Sequence, residues 1–110
     1  MHEQRRYQRV AYFRPLRLTV LPGGPTVPGN SFDISRGGVG LVADISLERG
    51  QSVFIHFQVQ NQRHEAVEAG VPGKVAYFRA DEDGNYIGVE FLEDIRESSQ
   101  PVLARIVNNL

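Results

Sequence analysis

Three arginines lie within five positions near the start of the chain, at Arg5, Arg6 and Arg9. A guanidinium group presents a planar fork of N–H donors, which fits a phosphate or the O6/N7 edge of a guanine through paired hydrogen bonds. The formal net charge of the 110-residue chain is only -1, whereas general nucleic-acid binders usually carry a broad basic surplus. The cluster is therefore either a solvated terminus or an arm that closes on one negatively charged ligand.

A second unusual stretch, DISRGG, runs from Asp33 to Gly38 between apolar residues. Its glycine pair, Gly37 and Gly38, frees the backbone for positive φ. Asp33 and Ser35 could simply bond nearby backbone amides in a turn. The same groups could instead form a pocket, in which amides hold a phosphate and the carboxylate accepts hydrogen bonds from a guanine. The residues alone leave both interpretations open.

Catalytic and metal-binding arrangements are not evident in the sequence. The absence of cysteine excludes disulfides, thiolate zinc sites and cysteine nucleophiles. The histidines show no metal-ligand spacing, and no Gly-x-Ser-x-Gly elbow is present. Gly38, Gly40 and Ala43 superficially resemble a dinucleotide-binding turn, but no helix of useful length follows them. We therefore expect a protein that is not an enzyme and that holds no metal and no cofactor.

The chain also carries no targeting or membrane-spanning pattern. No apolar run follows the N-terminal arginines, as a signal peptide would require. No apolar stretch approaches the ~18 residues of a membrane span. We expect a cytoplasmic protein without membrane insertion.

The elements that position these residues are predicted to be mostly strands. Alternating apolar residues predict six short strands, at residues 16–20, 38–44, 53–59, 67–71, 74–78 and 86–92. The stretch 22–29 holds three prolines and three glycines and is predicted to be a connecting loop. Pro72 and Gly73 are predicted to interrupt the strand rhythm, and Asp83-Gly84 signals a hairpin turn. This spacing is typical of a small antiparallel barrel or sandwich.

The end of the chain predicts one helix over residues 98–110, with Ser98 and Ser99 as caps. Apolar residues recur there on one helical face, at Leu103, Ile106, Val107 and Leu110. A chain of 110 residues is one domain's length. We expect a single domain over 1–110, with a flexible arm at 1–9, a barrel at 10–92 and the helix at 98–110.

Together, Arg5-x-x-x-Arg9 and Asp33-x-Ser35-x-x-Gly38 resemble the paired signature of PilZ domains. The spacing between the two motifs is similar to that of the family, as are the later segments GKVAYF and YIGVEFLE. The resemblance therefore covers nearly the whole chain. It implies a mainly β fold, a six-stranded antiparallel PilZ-type β-barrel with a flexible N-terminal arm and one C-terminal α-helix.

PilZ domains are bacterial receptors for cyclic di-GMP, a dianion with two phosphodiesters and two guanines. The resemblance implies that Arg5 and Arg9 contact this ligand from the arm. It also implies that Asp33, Ser35 and Gly38 line the half of the site that lies on the barrel.

Several further residues are candidates for the same site. Arg6 and Gly37 lie within or beside the motifs, and Arg36 could add charge there without a specific contact. Tyr77 stands where some family members place an aromatic side chain that stacks on a base. Gln4, just before the arginine pair, leaves both one ligand and a stacked pair of ligands open.

Three functions are compared on this basis. The leading one is a cyclic di-GMP receptor without catalysis, a monomer or weak dimer with no attached output domain, which signals by arm closure to a downstream effector protein. The alternative is a PilZ-fold protein-interaction module that does not bind nucleotide. The third, a small barrel that binds single-stranded nucleic acid, is disfavoured because the middle strands carry His, Gln and Glu rather than aromatic platforms. No nucleic acid is therefore expected as a partner.

Overall fold

The computed structural model describes residues 8–108, so residues 1–7, with Arg5, Arg6 and most of the predicted arm, lie outside the described residues, as do residues 109–110. Seven strands and one helix follow one another along the described residues. They are β1 (Val10–Ala11), β2 (Pro15–Val20), β3 (Thr26–Ile34), β4 (Gly38–Ala43), β5 (Ser52–Gln60), β6 (Ala66–Asp81), β7 (Gly84–Phe91) and α1 (Pro101–Asn108).

Six of these strands close into an antiparallel barrel. Neighbouring strands follow the order β3-β2-β5-β6-β7-β4, and β4 pairs back onto β3. The two-residue strand β1 adds to β3 alone. The predicted fold, a six-stranded antiparallel barrel followed by a C-terminal helix, is confirmed.

The alternation of side chains along the strands produces the core. In β5, Val53, Ile55 and Phe57 are almost fully buried, while His56 and Gln58 face outwards. Burying each such apolar side chain contributes about 1.5–3 kcal/mol. In β4 the inward residues are Val39 and Leu41, so Gly38 and Gly40 belong to the outer face. The barrel interior is therefore packed, and a binding surface has to lie on the outside.

Strand β3 begins inside the segment that the sequence predicted as a loop, because Thr26 to Gly29 already pair with β2. The proline in this stretch, Pro28, lies opposite Arg17 of β2, whereas the pairing with β4 starts only at Gly29. At Pro28 the strand therefore has a single neighbour, the situation in which a strand tolerates proline.

Strand β6 runs through Pro72 and Gly73 without interruption, contrary to the prediction of two separate strands. Pro72 pairs with Phe54 of β5, and its carbonyl oxygen accepts a hydrogen bond from the Leu92 amide at 3.0 Å, towards β7. The N and C=O of one strand residue point to the same side, so the missing N–H also faces β7. The ladder between β6 and β7 begins only at Gly73, and no strand pairing is lost.

The hairpin between β6 and β7 is present, with Asp81 paired to Gly84 and the turn made by Glu82 and Asp83. Gly84 has a φ of 132°, which favours glycine.

Helix α1 begins at Pro101 rather than Ser98, and the Gln100 carbonyl accepts the Ala104 amide at 2.8 Å. Leu103 and Ala104 are buried against the barrel. Within residues 8–108, no helix is long and apolar enough to cross a membrane.

Candidate functional site

The DISRGG stretch forms the connection between β3 and β4, and residues 33–38 are called the motif turn below. The Ser35 amide donates to the Gly38 carbonyl at 2.9 Å, and the Gly37 amide donates to Ser35 Oγ at 3.1 Å. Ser35 is buried, so its hydroxyl first serves the turn itself. Two amides of the motif turn are thus used within it, so a phosphate would have to bind to the remaining donors of the turn.

Asp33 brings the two motifs together. Its Oδ1 accepts a hydrogen bond from Arg9 Nη1 at 2.9 Å and another from the Gly40 amide at 3.1 Å. The pairing of Ala11 with Asp33 carries the chain before β1 to this position, although Arg9 and Asp33 are 24 residues apart. Their side chains are 25% and 26% exposed, so a ligand could still reach both.

Two buried glycines beside the motif turn leave no room for a side chain. A Cβ on Gly38 would lie 2.4 Å from the carbonyl oxygen of Val89, because β7 passes close beneath it. On Gly40 it would lie 2.6 Å from the ring of Phe32 and 2.7 Å from Asp33 Oδ1. Both positions therefore require glycine. A side chain at Gly38 would clash with the backbone of β7, and one at Gly40 would clash with Phe32 and Asp33.

Tyr77 lies on the same row of the barrel as Asp33. The register pairs Asp33 with Gly40, Gly40 with Gly88, and Gly88 with Tyr77 across four neighbouring strands. The Tyr77 ring covers Gly88, where a Cβ would come within 2.1 Å of it, and the residue is 45% exposed. The structure thus brings Arg9, Asp33 and Tyr77 to one outer surface, while Arg5 and Arg6 lie outside the described residues.

Sequence reasoning did not place Gly40, Gly88 or the aromatic residues beside them at this surface. The Phe32 and Tyr86 rings contact each other edge-on at 6.0 Å, and the Arg79 guanidinium stacks 4.5 Å from the Tyr86 centroid. The strand period could have marked Gly40 as an outward-facing glycine, since it alternates with Val39 and Leu41.

Arg36 makes specific contacts within the protein. Its Nη2 donates to Asn108 Oδ1 at the end of α1, and its Nη1 donates to the Ile95 carbonyl at 3.4 Å. Its own carbonyl accepts the Ile95 amide at 2.7 Å. The motif turn is therefore joined to the C-terminal segment at this residue.

A separate polar network covers the outer face of β2, β5 and β6. The Glu68 carboxylate accepts hydrogen bonds from His56 Nδ1 at 3.2 Å and Arg17 Nη2 at 2.8 Å. These bonds, from His56 first and Arg17 second, lower the pKa of Glu68 below its usual value. His56 Nε2 also bonds Thr19 Oγ1 at 2.8 Å. Over the part of the chain that the structure describes, no cluster of His, Asp and Glu could hold a metal ion.

A cleft of about 580 Å³ lies between residues 61–65 and the start of α1. Its lining includes Arg63, Glu97 and Arg105 and contains none of the motif residues. The cleft is therefore separate from the row from Asp33 to Tyr77.

Comparison with known proteins matches this architecture. The PilZ domain profile matches residues 3–109. A search of curated proteins returns no match. Among solved structures, the PilZ domain of Escherichia coli YcgR with c-di-GMP is 18% identical, with a TM-score of 0.71 over 98% of this chain and 92% of that one. The PilZ domain of CeSA from a cellulose-synthesizing bacterium is 20% identical, with a TM-score of 0.65 over 93% and 96%.

The Bacillus subtilis inhibitor of motility, MotI/DgrA, is 16% identical and has a TM-score of 0.74 over 98% of this chain. The present chain spans about half of that protein, 52% of its length. At these low identities the structural similarity shows the fold alone. The profile match over nearly the full length shows the family. The two motifs, the closed barrel and the profile match agree, and the chain belongs to the PilZ domain family.

Proposed function

We propose that this chain is a cytoplasmic receptor for cyclic di-GMP that carries no catalytic activity. The observation that carries the proposal is the contact of Arg9 with Asp33, because it unites two motifs that are separate in the sequence. The PilZ domain of YcgR, which shares this fold, is described with c-di-GMP. The chemistry also agrees, since a dianion with two guanines needs both guanidinium donors and a carboxylate acceptor.

The candidate residues on this surface have distinct roles in the proposal. Asp33 orients Arg9 through one N–H, and the remaining donors of the guanidinium stay free for a phosphate or for the O6/N7 edge of a guanine. The second carboxylate oxygen of Asp33, which has no hydrogen-bond partner within residues 8–108, accepts from the guanine N1–H and amino groups. Gly37 and Gly38 present backbone at the motif turn, and Tyr77 stacks on a base.

Signalling is proposed to follow from closure of the arm. Arg5 and Arg6 repel one another and Arg9, and a dianion at the motif turn gives each of them a partner. The closed arm presents a new surface to a downstream effector protein, with the receptor itself a monomer or weak dimer. Backbone NMR relaxation at residues 3–9 tests this step, and identical relaxation with and without ligand would contradict it.

Calorimetry with cyclic di-GMP tests the binding itself. We expect Arg5→Ala and Arg9→Ala each to weaken affinity by roughly ten- to a hundredfold, since each removes charge-assisted hydrogen bonds worth about 1.5–3 kcal/mol. Arg63→Ala removes an arginine that lines the cleft near α1 and should leave affinity unchanged. Wild-type affinity in both motif variants would rule out the arm as part of the site.

A wild-type chain that binds no cyclic di-GMP would instead support the interaction module, and tight binding of a single-stranded oligonucleotide would support the third function. Calorimetric titrations with cyclic di-GMP and with a single-stranded oligonucleotide together distinguish the three functions.

A further inference from the structure

Arg36 lies in the middle of the motif turn, yet its side chain reaches the C-terminal segment. It donates to the Asn108 side chain, 72 positions further along the chain, and to the Ile95 carbonyl. Leu103 and Ala104 are buried against the barrel and Ile106 and Val107 pack partly against it, whereas Asn108, the last residue of α1, is exposed. The bond to Arg36 is therefore a side-chain tie on the last turn of the helix.

The tie is weak in comparison with what a ligand offers. Both acceptors of Arg36 in this structure are neutral, an amide oxygen and a carbonyl at 3.4 Å. A hydrogen bond from a guanidinium to a phosphate is charged on both sides, whereas the bonds of Arg36 to Asn108 and Ile95 are charged only on the guanidinium side. A phosphodiester bound at the motif turn would therefore win Arg36 from Asn108.

Resting on the proposed function, we propose that Arg36 is a further ligand-contacting residue, which leaves Asn108 for a phosphodiester of cyclic di-GMP and so releases the last turn of α1. The occupancy of the site is then reported at the helix end as well as by the arm. The coupling has to be reciprocal, since the ligand weakens the tie by the same factor by which the tie weakens ligand binding.

Two substitutions of Asn108 change the tie in opposite directions without touching the ligand site. Asn108→Ala removes the acceptor, so cyclic di-GMP should bind about two- to tenfold more tightly, the equivalent of one net hydrogen bond. Asn108→Asp gives Arg36 a charged acceptor and turns the bond into an ion pair, so binding should weaken by a similar factor. Arg105→Ala, in the same helix turn but without a bond to the motif turn, is the matched control and should bind as the wild type does.

Arg36→Ala separates this proposal from a merely structural tie. If Arg36 only held the turn to the helix, its loss and the loss of Asn108 would change affinity in the same direction. The proposal requires opposite directions, with Arg36→Ala about ten- to a hundredfold weaker and Asn108→Ala tighter.

Amide hydrogen exchange at residues 105–108 gives the second readout. Saturating cyclic di-GMP should speed exchange there in the wild type and in Arg105→Ala, less in Asn108→Asp, and not in Asn108→Ala. Binding without any change in helix exchange, or equal affinities for both Asn108 variants, would overturn this inference but not the proposed receptor function. No binding by the wild type would overturn both.

Discussion

Asp33 and Ser35 each serve the turn and the proposed ligand at once. Asp33 holds Arg9 and the Gly40 amide, and Ser35 Oγ accepts the Gly37 amide. We therefore expect Asp33→Ala to lose about 1.5–3 kcal/mol of stability and Ser35→Ala about 1 kcal/mol, in addition to a loss of cyclic di-GMP affinity. Urea unfolding of the ligand-free protein, combined with calorimetry, separates the two effects.

Asp33→Asn is the informative companion, because it keeps an acceptor for the Gly40 amide and removes the ion pair with Arg9. Stability close to that of the wild type together with reduced affinity would place the charge of Asp33 in binding. If stability falls in Asp33→Ala and Ser35→Ala but affinity per folded molecule is unchanged, the stretch is a structural turn only.

The sequence alone singles out the motif residues as candidates for the site, because their types and local spacing form the two motifs. The partner of Arg36 could not, since Asn108 is 72 positions away and only the placement of α1 brings it near. The contact of Gly88 with Tyr77 likewise depends on the register between β6 and β7, which no local pattern specifies.

The position of the Tyr77 ring on β6 depends on Gly88 of β7, which has no side chain. Gly88→Ala would place a methyl group within 2.1 Å of the Tyr77 ring, so we expect a loss of about 1–3 kcal/mol through overpacking and a displaced ring. Combining it with Tyr77→Ala should remove the clash, so that the double variant is more stable than the sum of the two single effects. Thermal unfolding of the four proteins measures this coupling, and additive effects would contradict the packing argument.

The strands that follow a clean two-residue rhythm, such as β5, could be predicted well, because one face of each is buried in the barrel. The prediction was wrong where proline occurs in a strand. Pro28 and Pro72 are tolerated because β3 and β6 lack a second neighbour there. Whether a strand residue has one or two paired neighbours depends on the strand register of the whole barrel. The local sequence shows only a residue that normally breaks strands.

The network on β2, β5 and β6 lies apart from the proposed site and gives the protein an acid-sensitive contribution to stability. The pKa of Glu68 is lower in the folded chain than its usual value of 4.5. Its contribution is therefore present above about pH 4.5 and is lost as the pH falls through the folded value. We expect Glu68→Gln to lower the Tm at pH 7 and the difference from the wild type to shrink at about pH 4 and below.

Glu82→Gln is the matched control, because Glu82 is an exposed carboxylate of the β6–β7 turn that takes no part in the network. A Tm difference for Glu68→Gln that stays constant from neutral to acid pH would contradict the assignment. Affinity for cyclic di-GMP should not follow this titration, since the network and the Asp33 row are carried by largely different strands.

The pairing of β4 with β7 joins Gly38 to Glu90, the widest separation in sequence of any strand pair in residues 8–108. Such non-local pairing is slow to form, because the long intervening loop must be closed first. A nascent or partly unfolded chain therefore lacks the row from Asp33 to Tyr77, and under the proposed function only the finished barrel would bind cyclic di-GMP. By mass action, cyclic di-GMP at a hundredfold excess over its Kd would add about 2.7 kcal/mol to the free energy of unfolding. In the proposed receptor, cyclic di-GMP would thus lengthen the lifetime of the folded chain as well as occupy its site. Slower proteolysis in the presence of the ligand would show this stabilisation.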